Sequence, residues 1–428
     1  MFGFQATGMK NRLITPIPPE LVLEILTYIS GCRDVLRACC LVCRAWCRLA
    51  QPFLFSKLSL SLEAHCHRWN RKFTTYPHLA QYVTRLKLWR GNRGRADVVE
   101  QPPFLEGPAT VELLRRLPNI KYLKMSDFFL PSEREIEVLC HFTRLEWLEM
   151  HEVMFNAAAD LLNLMSQLVN LKVLRIVDME IRSHTSEDLI GPTLHDFVDV
   201  VPKRLRNLKL HDPTTSLYIF SWLSGGAFDL SDLTDLTLSW ESFRKNHPPS
   251  DERELYANHM LEHFISTRAL SSFMALETLN VDPINRFNQN DARRLVDIER
   301  LLHHLTFPCL RKICVTMRFT LNTVDDLPSY KKLPVWTNLD GLLASTNFPS
   351  LRQLLLLIEV KSIHWDAHRF EDSDDEAPSV DILPLVARGP WPEHPPTVDD
   401  IAAMIAEQMP TLASRGCLTI HRSMISRL

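Results

Sequence analysis

A short pattern of apolar and polar positions recurs along most of the chain from residue 80 onward. It reads apolar-x-x-apolar-x-apolar and occurs first at Val83, Leu86 and Leu88. Because strand side chains alternate between two faces, the last two apolar positions of each copy predict a short strand with one buried face. Further copies have the same spacing: Ile120/Leu123/Met125, Leu145/Leu148/Met150, Leu171/Leu174/Ile176, Leu205/Leu208/Leu210, Leu233/Leu236/Leu238, Leu276/Leu279/Val281, Leu310/Ile313/Val315 and Leu351/Leu354/Leu356. Leu58 and Leu60 form a first half-copy, and Leu418 and Ile420 a last one.

Helical spacing of apolar residues precedes most copies of this pattern. The segments are TVELLRRL, SEREIEVLCHF, AAADLLNLMSQL, TLHDFVDVV, YANHMLEHFISTRALSSF, ARRLVDIERLLHHL and VDDIAAMIAEQM. Parallel strands need a crossover of this size, which is usually a helix. One helix and one strand cannot bury an apolar face alone, but stacked neighbours form a continuous core. The pattern therefore predicts an arc of repeats with parallel strands inside and helices outside.

Three short helices are predicted between residues 16 and 60. Gly31 separates the first from the second, and Pro52 ends the third. Their predicted apolar sides are, in order, Leu21/Ile25/Leu26/Ile29, Val35/Leu36/Cys39 and Val42/Ala45/Trp46/Leu49. Val22 and Leu23 add apolar surface outside the first stripe, as on a helix that docks a partner. Because domains near 40 residues are marginally stable alone, this unit should pack against the rest of the chain or a partner.

The order of motifs in these helices resembles an F-box over residues 15–58. The motifs are Pro18-x-Glu20-Leu21-x-Leu23-x-Ile25-Leu26, Arg33-Asp34-Val35-Leu36 and Leu41-Val42-Cys43-Arg44-Ala45-Trp46, with Ile17 in place of the common Leu. F-boxes bind the Skp adaptor, which connects them to a cullin–RING ubiquitin ligase. The resemblance implies that the adaptor-facing or supporting surface contains Pro18, Leu21, Ile25, Leu26, Leu36, Val42 and Trp46. The alternative is a plain helical unit that covers the end of the repeats.

With the repeats included, the chain resembles the leucine-rich-repeat class of F-box proteins. That resemblance implies an α/β fold in which a three-helix F-box precedes a right-handed solenoid with parallel inner strands and outer helices. The early intervals match leucine-rich repeats of 20–29 residues. One departure concerns the third position after the last apolar residue of a copy, which usually carries Asn or Cys. Here that position carries Phe128, Val153, Met179, Pro213 and Glu241. The rival interpretation is a doubly wound enzyme domain, but glycine-rich turns after the strands are missing.

The predicted domains follow from these resemblances. Residues 1–14 are expected to be a disordered N-terminus, and residues 59–421 the repeat domain. Polar or Pro-containing loops are predicted at 283–291 and 321–334. Residues 366–396, which include an acidic run and several prolines, are predicted to be a mobile loop. A charged docking tag is the alternative for that loop.

Composition excludes several classes of function. The chain of 428 residues has 12 glycines and no glycine-rich phosphate loop, its net charge is -3, and its sequence pI is about 6.6. A large basic surface for nucleic acid is therefore not expected. The longest apolar run, Leu354 to Ile358, is too short to span a membrane, and the first residues lack a signal-peptide core. The expected location is the cytoplasm or the nucleus, with reduced cysteines.

Neither a metal site nor a catalytic site stands out. Cys40-x-x-Cys43 could be a zinc half-site, but structural zinc needs four ligands, which the neighbouring residues Cys39, Cys47, His65, Cys66 and His67 would complete only by chance of folding. The cysteines are better interpreted as small apolar core residues. No Gly-x-Ser-x-Gly sequence occurs. We expect no cofactor and no catalytic residue, because a third class, a hydrolase or metal enzyme, has no residue evidence in its favour.

Alternation places one set of strand residues on the predicted open, concave face. The set contains Arg85, Lys87, Trp89, Tyr122, Lys124, Ser126, Trp147, Glu149, His151, Val173, Arg175, Val177, Asn207, Lys209, His211, Asp235, Thr237, Ser239, Thr278, Asn280 and Asp282. Its first half is basic and aromatic, the composition of interface hot spots. We therefore predict a target site at Tyr122, Lys124, Trp147, Arg175 and Lys209, unless loops cover the tryptophans.

The resemblance implies a non-catalytic substrate receptor of a Skp–cullin–F-box ubiquitin ligase. The F-box would bind the adaptor, and the repeat face would hold a protein target, which raises its local concentration at the ligase. The alternative is a repeat scaffold, adaptor-bound or free, that acts outside ubiquitination.

Overall fold

The structure is a computed structural model. It describes residues 17–89, 104–130, 133–181, 203–211, 228–239, 273–287, 292–303, 307–320, 331–361 and 398–422. The chain divides into two compact units, Met1–Leu123 and Lys124–Leu428.

The first unit begins with three packed helices: α1 (Pro19–Tyr28), α2 (Arg33–Val42) and α3 (Arg44–Phe55). Pro19 stands at the first position of α1, where the missing N–H costs no helical hydrogen bond. The helices share a small core of Val22, Leu26, Leu36, Cys39 and Ala50, which are at most 8% exposed.

This core corrects four details of the sequence prediction. Val22, expected outside the stripe, is buried, whereas Val35 is 46% exposed. Ala45 is also exposed. The third helix does not end at Pro52 but continues to Phe55, because Phe53 and Leu54 still pack against the helical core. Pro52 therefore removes one backbone hydrogen bond without ending α3.

The described residues that follow in the first unit form two paired strands and two helices. The elements are β1 (Lys57–Leu60), α4 (Glu63–Thr75), a 3₁₀ turn (Pro77–Tyr82), β2 (Arg85–Trp89), a second 3₁₀ turn (Phe104–Glu106) and α5 (Pro108–Arg115). β1 and β2 are parallel, and Leu58 is the partner of Leu86. The Phe55 ring meets Trp69 edge-on at 6.3 Å, which joins α3 to α4. This contact helps explain why the first compact unit extends beyond residue 58.

Strand β3 (Tyr122–Leu130) begins at the end of the first unit and continues into the second. The second unit then contains α6 (Glu133–Cys140), β4 (Trp147–Phe155), α7 (Ala158–Gln167), β5 (Val173–Val177), β6 (Glu180–Ile181), β7 (Lys203–Arg204), β8 (Asn207–His211), β9 (Phe228–Asp229), β10 (Asp235–Ser239), β11 (Thr278–Phe287), α8 (Ala292–His303), β12 (Lys312–Thr320), α9 (Val335–Leu343), β13 (Gln353–Lys361), α10 (Val398–Gln408), α11 (Pro410–Ser414) and β14 (Leu418–Arg422).

The strands of the second unit lie side by side in chain order. From β4 the order is β5, β8, β10, β11, β12, β13 and β14, while the short β6 pairs with β4 and β7 pairs with β9. These neighbours run parallel. A doubly wound sheet reverses its strand order at a switch point, and this order does not reverse.

The register aligns the predicted apolar repeat position by position. Leu148 pairs with Leu174, Leu174 with Leu208, and Leu208 with Leu236. The same row then continues through Leu279, Ile313, Leu354 and Leu418. The strand positions predicted from the sequence, including the last copy at Leu418, are therefore confirmed.

A repeated backbone hydrogen-bond pattern joins successive strands. The Glu146 carbonyl accepts from the N–H groups of Lys172 and Val173 at 2.8 and 3.0 Å. The Lys172 carbonyl in turn accepts from Arg206 and Asn207 at 2.8 and 3.2 Å. The same double acceptance recurs at the carbonyls of Ser56, Thr84, Arg206, Thr234, Glu277 and Arg311. The register is thus fixed by the main chain at one point per repeat.

Three acidic residues adopt a left-handed backbone at equivalent places after the apolar pair. Asp127, Glu152 and Asp178 have φ of 59°, 50° and 49°. One such residue shifts the side-chain alternation, as in a β-bulge. The residues that follow, Phe128, Val153 and Met179, are at most 2% exposed. They are core residues, which explains why the sequence has apolar side chains where repeats usually carry Asn or Cys.

The predicted helices agree with α5, α6, α7, α8 and α10 where the structure describes them. Several predicted parts lie outside the described residues. They are the segment TLHDFVDVV, most of the segment YANHMLEHFISTRALSSF, and residues 1–14 and 366–396. The loop predicted at 283–291 was wrong in its first part, because β11 continues to Phe287. Ile284 and Phe287 keep their pairing with Met317 and Phe319 through register shifts. No helix among the described residues has the length and apolar content needed to cross a membrane.

Candidate interaction surfaces

The outer side of α1 carries an open apolar groove. Leu21 and Ile25 are 50% and 43% exposed although the core of the three helices is already filled by other residues. The groove measures about 410 Å³ and is lined by Ile17, Leu21, Glu24, Ile25, Tyr28 and Ile29. Exposed apolar residues grouped in this way mark surfaces that bind another protein.

The seven predicted adaptor residues fall into two groups. Leu26 and Leu36 are core residues, at 0% and 1% exposure, and Trp46 is half-buried against the same core. Pro18 is exposed, as are Leu21, Ile25 and Val42. The first group can support the surface only by shaping the helices. The second group is available for direct contact.

The cysteines of the helical module differ from one another in exposure. Cys39 belongs to the core and Cys40 packs against it, but Cys43 is exposed, which corrects its assignment to the core. Burial raises the pKa of the Cys40 thiol, and the nearby Cys47 raises it further. Among the described residues, no group of three or more His, Cys, Asp or Glu side chains could hold a metal ion.

A buried carboxylate, Glu149 of β4, organises the predicted target site. It is 4% exposed, and its Oε1 atom lies 2.8 Å from the Lys124 ammonium and 3.4 Å from the Arg175 guanidinium. His151 Nε2 also contacts Oε1. Each of these three partners keeps a quarter to a third of its side chain exposed. Glu149 therefore holds the cations in place and balances part of their charge.

Alternation along β4 predicts Glu149 on this face, but it does not predict that Glu149 belongs to the target site. The sequence signal was its place at the middle position between Leu148 and Met150, opposite Arg175 in the next strand. Carboxylates opposite cations in adjacent strands form stabilising cross-strand pairs. Because the pairing register is not visible in one sequence, this signal could be recognised only afterwards.

The remaining predicted target residues have different surroundings. Lys209 is the register partner of Arg175 in the next strand, and Arg175 is the partner of Glu149, which also binds Lys124. Trp147 is 40% exposed, so it is not covered as the alternative required. Tyr122 belongs to the first unit, where the Arg85 guanidinium lies 4.5 Å from the centre of its ring.

The prediction that the whole set faces open solvent was wrong for several members. Glu149, Val177, His211, Thr237 and Ser239 are all at most 7% exposed. Alternation fixes which side of a strand a residue occupies, but it does not fix what else packs there. The most exposed part of this face in the second unit is therefore near Trp147, rather than along every strand.

Three packed helices with an apolar outer groove form a small helical docking module. Residues 14–61 match the F-box-like family, so the chain carries an F-box-like domain there. A comparison with curated protein sequences gives no match.

Among solved structures, one similar chain belongs to a structure described as "Crystal structure of Rad7 and Elc1 complex in yeast". It shares 12% sequence identity, with a TM-score of 0.26, over 80% of this chain and 89% of that chain.

Proposed function

We propose that this protein is the non-catalytic substrate-recognition subunit of a Skp–cullin–F-box ubiquitin ligase. The observation that carries the proposal is the exposed apolar groove at Leu21 and Ile25 on an F-box-like domain. The groove is not needed to complete the core of the domain, so its apolar surface is free to bury against an adaptor. The proteins of this complex act in the cytoplasm and nucleus, which is where we place this chain.

The adaptor contact proposed here consists of Pro18, Leu21, Ile25 and Val42. Leu26, Leu36 and Trp46 support it from the core side. Burial of apolar surface contributes about 25 cal/mol per Å², so a groove of this kind can supply much of an interface. A second protein, the target, would bind the strand residues Lys124, Trp147, Arg175 and Lys209, with Tyr122 as a further predicted contact.

The proposal is tested by capture of the Skp adaptor and cullin with the full chain. Ile25→Asp places an unpaired charge in the proposed interface, so we expect adaptor capture to be lost while the fold persists. Val169→Asp is the matched control, because Val169 is 56% exposed and lies in the second unit. It should capture the adaptor as the wild type does. Undiminished capture by Ile25→Asp would reject the proposed surface.

Leu26→Asp distinguishes a lost contact from a lost fold. Leu26 is fully buried, so this variant should unfold the helical module as well as abolish capture. Far-UV circular dichroism and limited proteolysis separate the two variants. If both variants lose structure equally, loss of capture says nothing about the groove.

Target binding is tested separately by comparing captured proteins. The double variant Trp147→Ala/Arg175→Ala should lose targets while it retains the adaptor. Trp89→Ala is the control, because Trp89 has nearly the same exposure, 41%, but lies in the first unit. Equal capture by the double variant would move the target site elsewhere. Adaptor capture without cullin or target turnover would favour the scaffold alternative.

A further inference from the structure

A second concave site in the first unit is lined by cations. It measures about 360 Å³ and lies where α2, β1 and α4 meet. Its charged lining residues are Arg33, Arg37, Lys57, Arg68 and Lys72, with His65 beside them, and none of the described residues that line it is Asp or Glu. Positive charge gathered in a concavity focuses the electrostatic field and attracts anions.

Most of this positive charge is not neutralised. Arg37 pairs with Asp34 at 3.0 Å, but the two side chains are 60% and 93% exposed, so the pair contributes little. No carboxylate of the described residues forms an ion pair with Arg33, Lys57 or Arg68. Cations brought together by three separate elements repel one another. A bound anion would relieve this repulsion because it brings opposite charge.

An aromatic side chain forms part of the same wall and is fixed from behind. Trp69 packs edge-on against Phe55 at 6.3 Å and lies 5.3 Å from Phe73. The Lys72 ammonium lies 4.7 Å from the centre of its ring. Trp69 therefore offers a rigid apolar surface among the cations, as in sites that hold a phosphate group attached to a ring.

We infer that this pocket binds a small organic oligophosphate, a molecule with two or more linked or neighbouring phosphate groups. Arginine is the preferred phosphate ligand because its planar group donates two parallel hydrogen bonds, and the pocket has three arginines. Its volume falls in the range of small-molecule sites, about 300–1,000 Å³.

The charge of the pocket decides between this ligand and two others. A single phosphorylated side chain brings only about two negative charges, which leaves most of the cations unbalanced. Nucleic acid needs a basic stripe or face rather than one concavity. A compact oligophosphate supplies more charge within the available space. The lining of this pocket shares no residue with the proposed adaptor and target surfaces.

The test is calorimetric titration of the full chain with sodium tripolyphosphate, inorganic phosphate and ATP at equal ionic strength. We expect one tripolyphosphate per chain, bound at least about tenfold more tightly than inorganic phosphate, with an affinity that falls as salt is added. ATP should bind at least as tightly as tripolyphosphate, because its base adds a contact with Trp69. Lys57→Gln/Arg68→Gln should weaken binding by about tenfold or more. Arg115→Gln/Arg48→Gln, which removes the same charge from exposed arginines outside the pocket lining, should change it less than about twofold.

Three results would overturn the inference. The first is equal binding by the pocket variant and the control variant, which would mean that the anion binds elsewhere. The second is equal affinity for tripolyphosphate and inorganic phosphate, which would mean that only general screening is measured. The third is tighter binding of a phosphopeptide or of single-stranded DNA than of tripolyphosphate, which would assign the surface to a macromolecule. Because the substituted side chains are exposed, unchanged melting of the free variants is expected and can be checked directly.

Discussion

Helix α1 and strand β4 contain the same kinds of apolar residue in opposite surroundings. In β4, Leu148 and Met150 are completely buried, whereas in α1 Leu21 and Ile25 remain about half exposed. The strand leucines find partners in the neighbouring repeats of the same chain. The α1 residues do not, because Val22 and Leu26 already fill the small helical core. Hydrophobicity alone therefore does not distinguish core residues from residues available to a partner. The distinction follows from whether the core beneath the surface is already filled by other residues.

Truncation of one leucine in each region gives the largest expected difference. Leu148→Ala should lower the free energy of unfolding by about 2–5 kcal/mol, because a fully buried side chain leaves a cavity. Leu21→Ala should change it by no more than about 0.5 kcal/mol. Urea unfolding followed by circular dichroism measures both. Equal losses would show that Leu21 belongs to the core after all.

The carboxylates of β4 and the segment before it allow a second comparison. Glu149→Gln should lower the free energy of unfolding by about 1–3 kcal/mol, because Lys124 and Arg175 lose a buried charged partner. Glu146→Gln is the matched variant, since Glu146 pairs with Lys172 at 2.9 Å but both side chains are well exposed. Its cost should stay within about 0.5 kcal/mol and should vanish at high salt. If the two variants lose the same free energy of unfolding, Glu149 does not organise the cations around it.

The C-terminal repeats offer a smaller effect at Asp340. This residue of α9 is 4% exposed, and its two carboxylate oxygens accept from the N–H groups of Thr411 and Leu412 at 3.0 and 2.8 Å. It caps α11 from another helix, so Asp340→Ala should cost about 1–2 kcal/mol. Hydrogen exchange at the Thr411 and Leu412 amides should accelerate. Asp34→Ala, at an exposed position, should leave those amides unchanged, and protection that persists in Asp340→Ala would refute the cap.

The smallest expected effect concerns thiol reactivity and alkaline pH. Burial, with the nearby Glu137, raises the pKa of Cys140 to about 11 from an ordinary value of 9.0. The native state therefore favours the neutral thiol, and this contribution to stability is complete below pH 9 and is lost as the pH rises toward 11. At pH 8, timed alkylation read by mass spectrometry should modify the exposed Cys43 and Cys309 well before Cys140. Labelling of Cys140 at the same rate would contradict the burial.

The strands were predictable because leucine spacing reports directly on burial. The buried face of α1 was not predictable from the sequence. The helical period does not identify the buried positions there, because five residues of one short stretch are all apolar: Leu21, Val22, Leu23, Ile25 and Leu26. A strand leucine such as Leu208 has polar neighbours on both sides, Asn207 and Lys209, that define its buried face. Contiguous apolar residues on a helix lack that contrast, so only packing identifies the core.

The two charged sites were hidden from the sequence for a different reason. Glu149 acquires its importance from Lys124 and Arg175, which lie in other strands. The cationic pocket joins Arg33, Lys57 and Arg68 from three elements, while the net charge of the whole chain is only -3. Total charge averages over such local concentrations, and single-sequence spacing does not report which distant residues meet.

The doubly accepting carbonyl between successive strands has a consequence for how this chain could have diversified. Most of the described strands receive two hydrogen bonds from one carbonyl just before the preceding strand, whatever the length of the segment that leads to them. The intervals between apolar copies joined in this way range from 26 residues, between Leu145 and Leu171, to 43, between Leu233 and Leu276, yet the strands still align residue by residue. Insertions can therefore accumulate between strands without displacing the leucines. The same property would let an engineer graft a foreign loop between two repeats, provided that the two N–H groups following each junction are kept and neither becomes proline.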